Sequence, residues 1–221
     1  LIHIDSESSV TVTLGDAVST ETQHQVLALR AWLTEHPFPG FLDAVPAFTT
    51  LTVHFDPFST YFSGKNHLLP VQAVAEWMAA QLPGIPPFQP DNYPLVEIPV
   101  QYGGNYGKDL PEVADLTGLS EASVIELHTS VIYSVAFIGF SPGFPYLNGL
   151  PEALELPRFE TPRKHYPAGS VAIAGRQTCV YPQASNGGWR IIGQTMFSFF
   201  DPNLYPPARL APTMQVKFSA V

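Results

Sequence analysis

The 221-residue sequence predicts two domains of different class: an α+β unit of split βαβ, ferredoxin-like type, then a mainly-β unit built as a barrel or sandwich. Three observations carry this. The first ninety residues alternate strand and helix signals in the order β-α-β-β-α. A stretch with Pro83, Gly84, Pro86, Pro87, Pro90 and Pro94 then interrupts every periodic pattern. From Val131 onward short apolar runs recur with Gly and Pro between them, the mark of closely spaced strands joined by turns. The domains are therefore placed at 1–88 and 95–221.

In the first domain, Val10–Leu14 is a short strand. Thr20 is the expected N-cap of a helix whose stripe is Val26, Leu29, Ala31 and Leu33. That helix ends before His36-Pro37, because the residue before a proline is pushed out of the α region. Leu51, Val53 and Phe55 alternate with Thr52 and His54, as in a half-buried strand. A second helix runs from Pro70, an acceptable first-turn residue, to Leu82 and buries Val71, Val74, Ala75, Met78 and Leu82. Strand Val96–Val100 either closes this sheet or opens the second domain. Helices follow at 109–116 and 121–129, started by Asp109 and Ser120. The remaining strands are expected at 131–138, 170–174, 178–181, 189–192, 196–199 and 214–218.

Composition narrows the function. Ten Lys and Arg against nineteen Asp and Glu give a charge of −9, which argues against a chain that coats itself with nucleic acid. Charged residues are only 13%, about half the usual ~25%. A chain so poor in charge folds compactly or covers part of its surface with a partner. A single cysteine excludes an internal disulfide and a cysteine-built zinc site. The uncharged run Val131–Phe140 is too short to cross a bilayer, which takes about 20 residues. A cytoplasmic protein away from membranes is the expectation.

Two motifs imitate catalytic signatures and fail on chemistry. Gly139-Phe140-Ser141-Pro142-Gly143 has the G-x-S-x-G form of a nucleophile elbow, but the oxyanion donor there is the N–H after the serine, and Pro142 has none. Gly103-Gly104-Asn105-Tyr106-Gly107-Lys108 resembles the end of a phosphate-binding loop. It has Tyr102 where the first glycine belongs and Asp109 where Ser or Thr belongs, so it reads as a glycine turn into a helix. The seven histidines show no i, i+4 pair, so no metal site is expected. Cys179 reads as a small core residue.

The positive charges are concentrated. Residues 158–190 hold Arg158, Arg163, Lys164, Arg176 and Arg190 against Glu160 alone, while the rest of the chain is strongly acidic. Arginine matches carboxylate and phosphate in a bidentate way, so the segment points to a small anionic ligand, with cross-strand ion pairs as the competing explanation. The expected pocket is walled by Phe140, Phe144 and Trp189. Tyr146, Ser170, Gln177 and Thr178 supply hydrogen bonds, and Gly143 and Gly169 let backbone approach the ligand. Arg163 is the favoured anion-binding residue; Arg158, Arg176 and His165 are secondary candidates. No catalytic residue is assigned.

The stretches GFSPGFPYLNGLPEAL, TPRKHYPAGSVAIAGRQTCVYP and SNGGWRIIGQT resemble the allophanate hydrolase subunit 1 family. That family includes KipI-type proteins, the B components of bacterial ATP-dependent 5-oxoprolinases and a carboxyltransferase module of urea carboxylases. The likeness extends to IPVQYGGNYGKDLPEVADLTGLSEASVIELH and to the GD-to-VHFDP region. Arg176, Cys179 and Asn186 depart from the family's usual glycine, glycine and proline. The resemblance implies that the second domain is a cyclophilin-like barrel. It further implies a hydrolase component that works with a C component (allophanate hydrolase subunit 2, KipA-like) and a LamB/YcsF-like A component. Together these would open 5-oxoproline to glutamate, with ATP used by the assembled complex and no cofactor on this chain. Inhibition of a sensor histidine kinase, as by KipI, and a urea or amide carboxylase component are the alternatives.

Overall fold

A computed structural model describes the chain except for residues 18, 61–67, 88–93 and 213. It separates into two compact units, residues 1–90 and 91–221. Half of the proline-rich junction, residues 88–93, lies outside the described residues, as does His67.

The first unit is a four-stranded antiparallel sheet carrying two helices. Strands β1 (Ile2–Ser6), β2 (Ser9–Thr13), β3 (Phe41–Pro46) and β4 (Thr50–Phe55) lie in the order β1-β2-β4-β3. Helix α1 (Thr20–Glu35) joins β2 to β3, and α2 (Pro70–Gln81) follows β4. The cap of α1 is Ser19, one residue before the expected Thr20: its hydroxyl accepts from Thr22 N–H at 3.0 Å, which satisfies an orphan donor of the first turn. Period-two burial is strict on the inner face, where Val10, Val12, Leu51, Val53 and Phe55 pack with Val26, Leu29 and Leu33 of α1 and Val74 and Met78 of α2. Each such side chain contributes about 1.5–3 kcal/mol by leaving water. The sheet differs from expectation in β1, an edge strand whose Ile2-His3-Ile4-Asp5 alternation is short and stays mostly exposed.

The second unit is a closed barrel of seven strands. Going round, they are β10 (Gln177–Val180), β7 (Pro145–Asn148), β6 (Tyr133–Ile138), β13 (Gln215–Ala220), β5 (Leu95–Tyr102), β12 (Arg190–Gln194) and β9 (Ser170–Ala174), which pairs back to β10. Only the β13–β5 pair is parallel, and it brings the far end of the chain to the strand that opens the unit. The barrel fits the cyclophilin-like expectation. Helices α3 (Leu110–Thr117) and α4 (Glu121–Ser130) pack into its core through Leu110, Val113 and Val124, beside Val135, Leu147, Ile173, Val180 and Phe218. A two-stranded ribbon, β8 (Arg163–Tyr166) with β11 (Ser185–Gly187), lies outside the closed barrel.

Some expectations need correction. Residues 196–199 form no strand; alternation survives in burial, with Phe199 buried and Met196 exposed, but the backbone runs as a loop tied back through Arg209 N–H to Phe199 O. Strands β7, β8 and β11 escape sequence reading because they are three or four residues long and carry Pro, charge or Gly. Strand β5 belongs to the barrel, which settles the open choice for residues 96–100.

Candidate functional site

Strand parity decides which side chains face which side of the barrel. In β10, Thr178 and Val180 point into the core while Cys179, and Tyr181 just past the strand, point outward; in β9, Val171 and Ile173 are inside and Ala172 and Ala174 outside. The outward residues do not meet water. They are buried in a second cluster with Phe144, Tyr166, Trp189 and Ile191, against which Tyr146 packs.

The inner side holds a polar chain that is fully satisfied. Thr178 donates its hydroxyl proton to Ala172 O at 3.1 Å, so at its 2.9 Å contact with His128 Nε2 it is the acceptor. His128 therefore carries its proton on Nε2, and Nδ1 accepts from the Tyr102 hydroxyl at 2.7 Å. Tyr133 donates to the His128 carbonyl at 2.7 Å. Desolvation pushes the His128 pKa down to about 3, and it pushes the Tyr102 and Tyr133 hydroxyls above their ordinary range. This neutral array holds α4 to the barrel wall, with His128 and Thr178 fully buried within it. Thr178, expected in the pocket, belongs to it.

The outer side holds a cavity of about 200 Å³ lined by Phe140, Phe144, Tyr146, Tyr181 and Trp189, together with Arg158, Phe159, Pro162, Asn186, Gly187 and Gly188. Its rings pack edge to face: Phe144 and Tyr181 at 5.1 Å, Phe140 and Phe144 at 5.2 Å, Tyr146 and Trp189 at 6.1 Å. The turn after β6 builds its rim. Phe140 sits at φ 67°, rare for a non-glycine residue, and the residue is 60% exposed. Gly143 takes φ 76° two residues before β7; a Cβ there would lie 2.8 Å from Phe199 O, so only glycine fits. No helix follows Ser141, so the serine-elbow motif fails in geometry as well as in chemistry.

Arg158 reaches over Trp189 with its guanidinium carbon 5.4 Å from the ring. Its charge opposes the upward shifts that burial imposes on Tyr146, Cys179 and Tyr181. Cys179 itself is wholly buried, and desolvation raises its pKa well above the ordinary value, so it is an inert core thiol.

The other expected site residues lie elsewhere. Arg163 pairs with the buried carboxylate of Asp109, Nη1 to Oδ2 at 2.6 Å. The same oxygen accepts from Ile191 N–H at 2.8 Å, and Asp109 N–H donates to Ile191 O at 2.9 Å. Asp109 is thus the N-cap residue of α3, but its side chain clamps β12 and Arg163 rather than capping the helix. Arg190 faces Glu112 at 3.5 Å and donates to Pro157 O, and both Arg163 and Arg190 lie over the Phe159 ring. Arg176 is exposed and faces Glu155 at 3.8 Å. Gly169 has φ 78° and a Cβ position 2.0 Å from Thr195 O, so it serves a tight chain crossing. Ser170 donates to Pro167 O and lines a separate hollow of about 60 Å³ with Asn105, Lys108 and Gln194. Gln177 donates to Asn148, and His165 is exposed on β8.

Of the expected residues, then, Phe140, Phe144, Tyr146, Trp189 and Arg158 converge. Tyr181, Phe159, Pro162 and Asn186 join them without having been expected. Tyr181 was recoverable from the period of two, since it shares a face with Cys179.

Comparison with known proteins supplies an independent line. The family model for the carboxyltransferase domain, subdomain C and D, matches residues 1–210. The B component of the 5-oxoprolinase of Bacillus subtilis (strain 168) is 41% identical over 217 residues, which cover 96% of this chain and 89% of that one. The protein of the same description from Escherichia coli O157:H7 is 39% identical over 98% of this chain and 94% of its own. Among solved structures, TTHA0988 superposes with a TM-score of 0.80 at 38% identity over 96% of this chain, which spans only 40% of that longer one.

Proposed function

This chain belongs to the carboxyltransferase family of subdomains C and D, and on that premise we propose that it is the B component of a bacterial 5-oxoprolinase, a hydrolase that opens 5-oxoproline to glutamate with the help of A and C components. One observation carries the proposal: identity of 39–41% to two proteins of that description, over nearly the whole of this chain and of each of them.

The barrel supports it. Opening a lactam needs a site that holds a small ring and surrounds its developing negative charge with donors. An aromatic-walled cavity with one guanidinium and one amide at its edge suits the holding step. In this reading the chain has no turnover alone: ATP is used by the assembled complex, the C component is of the allophanate hydrolase subunit 2 type, the A component is of the LamB/YcsF type, and the complex works in the cytoplasm. Among the described residues, no helix is long and apolar enough to cross a membrane.

The first unit fits the same picture as a permuted ferredoxin-like module. Its β2-α1-β3 crossover leaves β4 between the two strands, as a split βαβ unit does, while β1 fills the edge that a strand after α2 would take. The test of the function is co-expression with the A and C components, purification of the complex, and assay of glutamate release from 5-oxoproline. The proposal expects release that requires ATP and all three chains. A complex that forms and releases no glutamate would overturn it.

A further inference from the structure

Taking the 5-oxoprolinase reading as its premise, we propose that Arg158 is the carboxylate-binding residue of the barrel cavity and that the ligand class is a small cyclic monocarboxylic acid whose ring lies among Trp189, Tyr146 and Phe144. The first support is what the neighbouring cations already hold. Arg163, Arg190 and Arg176 face Asp109, Glu112 and Glu155 respectively. Among the described residues Arg158 makes no hydrogen bond and no ion pair; its contact is the Trp189 ring. That contact takes up none of the guanidinium N–H groups in a hydrogen bond, and two of them in parallel can hold a carboxylate.

The second support is the shape and polarity of the space. The cavity of about 200 Å³ equals roughly six or seven waters at about 30 Å³ each, so it selects a small ligand. Apart from Arg158 its lining residues are six aromatic ones, two of them tyrosines, with Pro162, Asn186, Gly187 and Gly188. One guanidinium balances one negative charge. A phosphate dianion would bring a second negative charge with no second cation in the lining to meet it. The chemistry therefore favours a monocarboxylate over inorganic phosphate.

The third support is how Arg158 is held. Phe159, next in the chain, donates its N–H to Gly188 O at 2.8 Å, and its ring lies under the guanidinium carbons of Arg163 and Arg190 at 4.4 and 4.5 Å. That anchoring fixes the backbone from which Arg158 extends. Arg163 is a structural residue in this account: it pairs with Asp109 and does not touch the ligand.

Calorimetric titration of the full chain with 5-oxoproline, with the neutral lactam 2-pyrrolidinone and with inorganic phosphate tests the assignment. The acid is expected to bind, the neutral lactam roughly tenfold or more weaker, and phosphate not to displace the acid. Arg158→Gln should weaken the acid roughly 10- to 100-fold, the loss of one charge-assisted pair, and leave 2-pyrrolidinone unchanged. Equal binding of the acid by wild type and Arg158→Gln overturns the proposal, as does displacement by phosphate or failure of wild type to bind any carboxylate among 5-oxoproline, proline and benzoate. If benzoate or proline binds in an Arg158-dependent way while 5-oxoproline does not, the carboxylate site stands and the 5-oxoprolinase reading falls. Missing glutamate release in the assembled complex removes that reading alone.

Discussion

Arg158 and Arg163 come from the same basic segment, five positions apart, and both guanidiniums lie over an aromatic ring. Their surroundings are opposite. Arg163 faces Asp109, whose carboxylate is 3% exposed and also ties the backbone of β12. Arg158 meets no acid among the described residues and opens onto a cavity. The lesson is that a local excess of charge in a sequence does not mark a binding residue. What marks it is a cation that meets no acid and also borders a cavity. The barrel interior makes the same point with neutral groups: the Tyr102–His128–Thr178 chain is complete and therefore structural.

The contrast can be broken most severely at Asp109. Asp109→Ala strands the Ile191 N–H and leaves Arg163 unpaired. Breaking a fully buried pair costs about 3–5 kcal/mol, and because Arg163 is a third exposed the lower end applies, about 3 kcal/mol. For a chain of this size that is a fall in Tm of roughly 10 °C. Arg163→Ala should lie in the same range, because it leaves the Asp109 charge buried, and the double variant should lose much less than the sum of the singles. Thermal melts of the three variants check this, and additive losses would show that the two side chains do not form a unit.

Acid probes the closed interior next. The His128 pKa is about 3 in the fold and about 6.5 when unfolded, so below pH 6.5 the unfolded chain binds a proton that the native chain refuses. More protons on the unfolded state means that stability falls as pH falls, by up to about 1.4 kcal/mol per pH unit between 6.5 and 3. His128→Gln should remove that contribution, seen as a shallower loss of Tm between pH 6.5 and 4 than wild type shows. Equal slopes would mean that His128 does not carry the acid sensitivity.

The smallest expected effect on stability falls on the residue with the largest functional one. Arg158→Gln should change stability by less than about 0.5 kcal/mol, since it breaks no hydrogen bond or ion pair among the described residues. A melt that shifts by as much as Asp109→Ala does would make Arg158 part of the same structural clamp.

Where the physics is local, the sequence alone leads to the right element. Ser120 caps α4, Pro70 opens α2, and the runs at 170–174 and 178–181 become β9 and β10 within a residue. The barrel's closure is not local: β13 pairs with β5 across more than a hundred residues, and no window of sequence contains that contact. The site divides the same way. Its aromatic walls stand out as Phe and Tyr in glycine turns beside short strands. The choice between Arg158 and Arg163 does not, because the acid that takes Arg163 lies 54 residues away at the start of a helix. Strand parity, once the register is known, moves Thr178 from the pocket to the core.

Turnover of the assembled three-component complex with Arg158→Gln and Arg163→Ala side by side tests the central claim most directly. The predicted result is that Arg158→Gln raises the KM for 5-oxoproline roughly 10- to 100-fold at unchanged Tm, while Arg163→Ala lowers Tm and, below its melting range, leaves KM within a few-fold of wild type. A wild-type KM in Arg158→Gln, together with a large KM increase in a thermally intact Arg163→Ala, would contradict it.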